Sequence, residues 1–356
     1  MPTEPPQASV VFSIQYTRAL AAFLVLTWHI REKSQQYGRD LFQSIDFGFA
    51  GVDVFFVISG FVMCLIYARS DHGLTSLLSF WRRRFLRIVP FYWLLTLVAL
   101  LIFLVAPAHV NSSGGETSVP RSFLLIPGKQ KFLIQNGWTL SYEMYFYLIF
   151  SLAFLVRKKA AGALMVCALI GALIVAGSIE PGIGAFLGNP LLAEFAAGSG
   201  IYFLWRHLPM ERGWPVGLAL STAGLAALCF TPEIQARLSG EFFPPAGIAA
   251  TCLILGMVLC EGRIRLRPVP WLEKLGDSSY SSYLFHPFAL AAAGIAFQKL
   301  HLSARGTPLE LVYWIGVLLF VLWCSYQVHR LVENPLIRLC SSLTGSKSPA
   351  GLPVPS

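Results

Sequence analysis

A chain of 356 residues in which 55% are hydrophobic and 13% charged cannot cover a soluble domain, where about a quarter of residues carry charge. Its mean hydropathy of +0.63 requires a surface that faces something apolar. The net charge of +9 lies mostly in short segments between apolar runs, which suits anionic lipid headgroups and excludes a nucleic-acid partner.

A bilayer core about 30 Å thick takes roughly 20 mainly apolar helical residues to cross, and backbone polar groups inside it must be paired within the segment. Runs near 10–30, 47–68, 86–107, 140–156, 160–177, 191–205, 214–231, 243–260, 279–297 and 310–329 predict an all-α, polytopic integral membrane protein with about ten transmembrane helices. The run at 191–205 is short, and that at 279–297 is interrupted by polar residues and Pro287. With the N-terminus inside, 17 of the 27 basic residues fall in cytoplasmic segments, so both termini are expected in the cytoplasm. The first nine residues lack the positive stretch of a cleavable signal, so the first helix is expected to be retained. The membrane domain is read as 10–337, with 108–137 an irregular outer loop and the Ser-, Gly- and Pro-rich 341–356 a disordered cytoplasmic tail. The seven cysteines show no metal or redox spacing and read as apolar filler; no metal is expected.

Ionisable groups within apolar helices are functional candidates. The first span carries Arg18 and His29, about 16 Å apart along a helix and on nearly one face. Arg18 either snorkels to headgroups or lines a polar seam; His29 is either interfacial beside Trp28 or part of that seam. The second span opens with Gly51-Val-Asp-Val-Phe-Phe-Val-Ile-Ser-Gly-Phe61, in which Gly60 suits close packing, Ser59 a bond between helices, and Asp53 needs a partner. Next comes a basic segment, Trp81 to Tyr92. Arg82 and Arg83 read as a headgroup anchor, while Arg84 and Arg87, three apart, can share a face toward an anion.

The fourth span begins at Asn136-Gly-Trp-Thr-Leu-Ser-Tyr-Glu143. Trp138, Tyr142 and Tyr145 form an interfacial aromatic group, and Glu143 should face a polar cavity, with His29 as a sterically feasible partner. In the ninth span Ser278, Ser279, Ser281 and Ser282 make a polar entrance. His286-Pro287 follows as a cavity-lining pair beside a helix bend, because proline frees a backbone carbonyl.

These segments together resemble the acyltransferase-3 family of integral membrane acyltransferases, in particular bacterial exopolysaccharide-production acetyltransferases. The resemblance rests on Arg18 and His29 at their spacing, Gly51 to Phe61, Arg82 to Arg87 with Pro90 and Tyr92, Trp138-Thr-Leu-Ser141 with Glu143, Phe146 and Tyr147, and Ser279 to Pro287 with Tyr283. Phe285 stands where the family usually has Trp. It implies transfer of an acetyl group from cytosolic acetyl-coenzyme A, the donor substrate, to a hydroxyl of a glycan or polyprenyl-linked oligosaccharide. The setting it implies is the bacterial inner membrane, alongside polysaccharide assembly machinery. His29 is then the base or a transient acyl carrier, Glu143 its orienting acid, and Arg18 a donor-phosphate or oxyanion contact. Arg83, Arg84, Arg87, Ser279 and Ser282 would bind the coenzyme. Asp53, Ser59, Gly60, Trp138, Ser141, Tyr283 and His286 would shape the cavity. The competing reading is a proton-coupled sugar or lipid transporter; it predicts paired internal repeats, and none is found.

Overall fold

The computed structural model describes residues 11–107, 115–180, 186–207, 213–237 and 245–344. Among them the regular structure is helical, and no strand forms beyond an isolated bridge between Thr117 and Lys131. In chain order the helices are α1 (Phe12–Tyr37), α2 (Gly51–Ala68), α3 (Leu74–Val105), α4 (Val119–Leu124), α5 (Gly137–Ser151), α6 (Lys159–Ile179), α7 (Leu192–His207) and α8 (Trp214–Cys229). Then follow α9 (Thr231–Arg237), α10 (Pro245–Leu259), α11 (Glu261–Leu266), α12 (Pro270–Asp277), α13 (Ser279–Lys299), α14 (Thr307–Val328) and α15 (Asn334–Leu343). A π-helical turn, His329–Glu333, joins the last two.

Where they are described, the ten predicted runs fall mainly on helices. Four helical stretches combine the length and hydropathy to cross a membrane: Asp46–Ala68, Leu74–Val105, Lys159–Ile179 and Thr307–Leu343. By contrast α5, α7, α8 and α10 have 15 or 16 residues, about 22–24 Å of helix at 1.5 Å per residue. Both α1 and α13 are long enough, but they carry polar side chains that dilute their hydropathy. Leu97, Leu101, Leu104 and Val105 of α3 and Val312, Leu319, Phe320 and Trp323 of α14 are exposed, as expected of side chains that meet lipid.

Two predicted boundaries shift. The third helix begins at Leu74, twelve residues before the predicted start at 86, so the arginine segment lies within α3 and not ahead of it. Charge marks where hydrocarbon ends, whereas a helix continues as long as its backbone bonds are satisfied. The predicted irregular loop contains α4, where the Ser118 hydroxyl accepts from the Arg121 amide and Pro120 occupies the first turn. Its stretch 108–114 lies outside the described residues, as does the tail from 345; the described part of the tail continues α15 to Leu343.

The interior is rich in aromatics. Phe146 of α5 stacks on Phe195 of α7 at 4.2 Å between ring centroids, and Phe56 of α2 meets Phe195 at 4.7 Å. Glycine permits this closeness: a Cβ on Gly60 would run into the Phe195 carbonyl, and one on Gly198 into the Val57 carbonyl, so α2 and α7 touch backbone to backbone. A smaller apolar cluster of Leu26, Ile30, Leu290, Phe297 and Trp314 ties α1 to α13 and α14. The start of α1 is fixed by Glu261, whose carboxylate accepts from the Phe12 and Ser13 amides at 3.0 and 2.7 Å. These amides have no partner within their own helix, so a carboxylate there is favoured.

Candidate active site

Arg18 of α1, Ser59 of α2, Arg84 and Arg87 of α3, Glu143 of α5 and Ser279 of α13 line a cavity of about 160 Å³. The three-residue spacing of Arg84 and Arg87 brings both to one face of α3. Arg87 pairs with Glu333 at 2.8 Å. Glu333 also accepts from Ser281 Oγ at 2.5 Å and from His329 Nδ1 at 2.7 Å, and Asn334 Nδ2 reaches His329 Nε2 at 3.1 Å. The π turn sets Glu333 at this point, and such turns recur at functional sites.

Arg84 is buried, its guanidinium 5.9 Å from the Tyr147 ring centroid, and its Nε has no hydrogen-bond partner among the described residues. Ser279 Oγ, also buried, has none either. Glu143 accepts hydrogen bonds from the Tyr147 hydroxyl and, at 3.3 Å, from Ser59 Oγ. Arg18 reaches only Gln15 Oε1, at 3.5 Å, and pairs with no carboxylate among the described residues. Gln15 in turn donates to Asp277 at 2.8 Å, at the end of α12. Burial raises the Asp277 carboxyl above the usual carboxylate range, while Arg18, His329 and Arg87 draw it down.

A second cavity, of about 780 Å³, is lined by His29 and Glu32 of α1, Asn136 at the start of α5, and His286 and Pro287 of α13. His29 Nδ1 lies 3.0 Å from Glu32 Oε2. A carboxylate can only accept, so Nδ1 carries a proton, and in the neutral ring Nε2 is the nitrogen left as a base. The rings of His29 and His286 lie 4.8 Å apart. His286 is buried and donates from Nδ1 to the Ser282 carbonyl at 2.9 Å. Pro287 has no N–H, so the Tyr283 carbonyl one turn earlier loses its helical partner. Asn136 Nδ2 fills that place at 2.8 Å and lies 3.5 Å from His286 Nε2.

The structure thus separates residues that the sequence suggested as one unit. Arg18 and Glu143 belong to the first cavity and His29 to the second. The expected His29–Glu143 pair is not formed: the acid on His29 is Glu32, and Glu143 is held by Tyr147 and Ser59. Glu32, three residues along the same helix, was legible as an i,i+3 partner. Arg83 donates to Ser79 Oγ at 2.7 Å and is not part of the arginine wall; Ser282 is buried but lines neither cavity. Asp53 is buried with its carboxyl against that of Glu194, so the partner it needs is a second acid. Trp138 is 40% exposed, edge-on to Tyr142, and Ser141 bonds back to the Gly137 carbonyl within its own helix. Asn136, Thr139, Tyr147 and Glu333 are the contacts for which the sequence reading gave no role.

Comparison with known proteins decides the family. The acyltransferase-domain model of the acyltransferase-3 family matches residues 11–330. This chain belongs to that family. The acyltransferase is 31% identical to the exopolysaccharide production protein ExoZ of Rhizobium meliloti over 305 residues, 82% of this chain and 90% of that protein. It is 28% identical to the acyltransferase MdmB of Streptomyces mycarofaciens, with 94% of each chain covered. To the peptidoglycan O-acetyltransferase OatA of Listeria monocytogenes it is 24% identical, over 77% of this chain and 48% of that longer protein. No solved structure matches. With its apolar helices, the acyltransferase is a membrane protein, and its relatives make it an O-acyltransferase.

Proposed function

We propose that this acyltransferase moves an acetyl group from cytosolic acetyl-coenzyme A to a hydroxyl of an exopolysaccharide or its lipid-linked precursor. The observation that carries the reading is the pairing of two cavities, one walled by Arg18, Arg84 and Arg87 and the other holding His29. In the first, Arg87 is paired with Glu333, Arg18 pairs with no carboxylate among the described residues, and Arg84 Nε has no hydrogen-bond partner among them. Buried guanidinium donors left unpaired favour an anionic ligand, and guanidinium suits phosphate. A pocket for a whole drug-sized ligand spans about 300–1,000 Å³. At about 160 Å³ the arginine cavity suits a small anionic part of the donor, its pyrophosphate, with the nucleotide toward the cytosol and the pantetheine arm leading on toward the larger cavity.

The larger cavity suits the acceptor. Gln35, Gln36, Gln135 and Asn136 in its wall offer amides, which both donate to and accept from sugar hydroxyls. His29 Nε2 takes the proton of the acceptor hydroxyl, and Glu32 holds the ring through Nδ1. The hydroxyl oxygen attacks the thioester carbonyl carbon, the C–S bond breaks, and the coenzyme thiol leaves with the proton from His29. In this reading Glu143 works in the donor cavity, as counter-charge to Arg18 and Arg84 through its bond to Tyr147.

The charge distribution supports ten spans with both termini in the cytoplasm of a bacterial inner membrane. Arg84 and Arg87 then lie toward the cytosol and His29 toward the outer face, where polysaccharide assembly machinery would supply the acceptor. The name of the Rhizobium meliloti relative supports an exopolysaccharide as the acceptor class. The test is acetyl analysis of the surface polysaccharide from cells that lack the gene, carry it, or carry His29→Ala. Acetyl esters should appear only with the wild-type gene; equal ester content in all three would refute the function.

A further inference from the structure

The two cavities lie back to back. On α5, Asn136 lines the outer one and Thr139, one turn later, the inner; on α13, Tyr283 lines the inner and His286, one turn later, the outer. Tyr283 closes the step between them. Its hydroxyl lies 2.7 Å from Thr139 Oγ1, and Thr139 itself donates to the Asn136 carbonyl at 2.9 Å, so the tyrosine is the donor to Thr139. The backbone there is pinned, because the Tyr283 carbonyl freed by Pro287 is held by Asn136. The ring is buried in the core, and its hydroxyl makes one hydrogen bond among the described residues. Beyond Thr139, it meets the Phe55 ring edge-on at 6.0 Å between centroids and the His286 ring at 6.1 Å. With the backbone pinned, the part free to change is the rotamer of the ring, and its one polar latch is the bond to Thr139.

We propose that Tyr283 is a gate that selects the nucleophile. Latched to Thr139, it keeps the donor thioester away from water in the outer cavity. Turned aside, it lets the acyl end of the pantetheine arm reach His29 and the bound glycan hydroxyl. The need for such a gate is chemical. Water can replace the glycan: its oxygen attacks the thioester carbonyl, the C–S bond breaks, the coenzyme thiol departs with a proton, and acetate forms. Transfer and hydrolysis differ only in which hydroxyl attacks, so excluding water until the acceptor is seated determines the yield of ester. The proposal rests on donor and acceptor occupying the two cavities as read here.

The experiment compares wild-type protein, Tyr283→Ala, Tyr283→Phe and Thr139→Val in lipid vesicles supplied with acetyl-coenzyme A. Thiol and acetate release is measured without acceptor, and ester formation with the glycan. Tyr283→Phe and Thr139→Val each remove the latch and keep the bulk of the side chain. Each should raise acceptor-independent hydrolysis by about two- to tenfold, the population shift expected from one lost hydrogen bond. Tyr283→Ala should raise it further and lower the ratio of ester to acetate. A side chain that only supported the fold would lower both reactions together. If the wild type transfers acetyl and none of the variants hydrolyses faster than it, the gate is refuted while the two-cavity reading stands. A wild type that transfers no acetyl from acetyl-coenzyme A overturns both. Should Tyr283→Ala not fold, the two latch variants decide the question.

Discussion

Replacing Glu32 and Glu143 in turn, alone and with His29→Ala, separates the two cavities by kinetics. Removing the base should cost about 10²–10⁴-fold in transfer rate. The Glu32 effect should be far smaller. Its side chain is 48% exposed and that of His29 27%, so the pair it makes with the imidazolium formed during transfer is an exposed ion pair, which contributes about 0.2–1 kcal/mol. That range corresponds to a loss of about 1.4- to 5-fold for Glu32→Gln. Its effect should vanish in the His29→Ala background, because the ring it orients is gone. Glu143 bonds to Tyr147 and Ser59 in the other cavity and shares no hydrogen bond with His29. Glu143→Gln should therefore act mainly on donor KM, and its loss should multiply with that of His29→Ala. Initial rates of acetyl transfer at several donor concentrations, on purified protein in vesicles, give every term. A His29→Ala/Glu143→Gln protein no slower than His29→Ala alone would refute the separation, as would a Glu32→Gln protein as inactive as His29→Ala.

Replacing Arg84 and Arg87 by Gln should raise the apparent KM for acetyl-coenzyme A more than replacing Arg82 and Arg83, because only the first pair lines the arginine cavity; equal shifts at matched expression would remove the distinction. Gly60→Ala drives a methyl group into the Phe195 carbonyl and should destabilise the protein by about 1–3 kcal/mol, read as a lower Tm in detergent; an unchanged Tm would show that α2 and α7 can move apart freely. Reporter fusions at Gly114 and Gly345 should indicate opposite sides of the membrane, and equal signals would overturn the ten-span topology.

The helices were legible because long apolar runs force backbone pairing within the segment. Their exact starts were not, as α3 shows: its first twelve residues are polar enough to resemble a loop, yet they are helical. Arg18 and His29 were readable as residues of one helix face, but their separation along α1 puts them in different cavities. Periodicity reveals a face and not the neighbour across from it, so Glu143 could not be matched to Tyr147 and Ser59 in advance. Glu32 escaped notice because it sits at the polar end of α1, where acids are commonplace. Pro287 announced a freed carbonyl at Tyr283, but only the packing of α5 on α13 identifies Asn136 as the group that fills it. The Arg87–Glu333 pair depends on a π turn that no local sequence pattern signalled.

The central claim is that donor and acceptor meet through the protein from opposite sides. Sealed vesicles of one orientation test it most directly, with labelled acetyl-coenzyme A confined to the face that bears Arg84 and Arg87 and the glycan confined to the other. Labelled acetyl ester should form on the glycan with wild-type protein and fall by about 10²–10⁴-fold with folded His29→Ala. Ester formation only when donor and glycan share one compartment, or an undiminished rate without His29, would contradict the account.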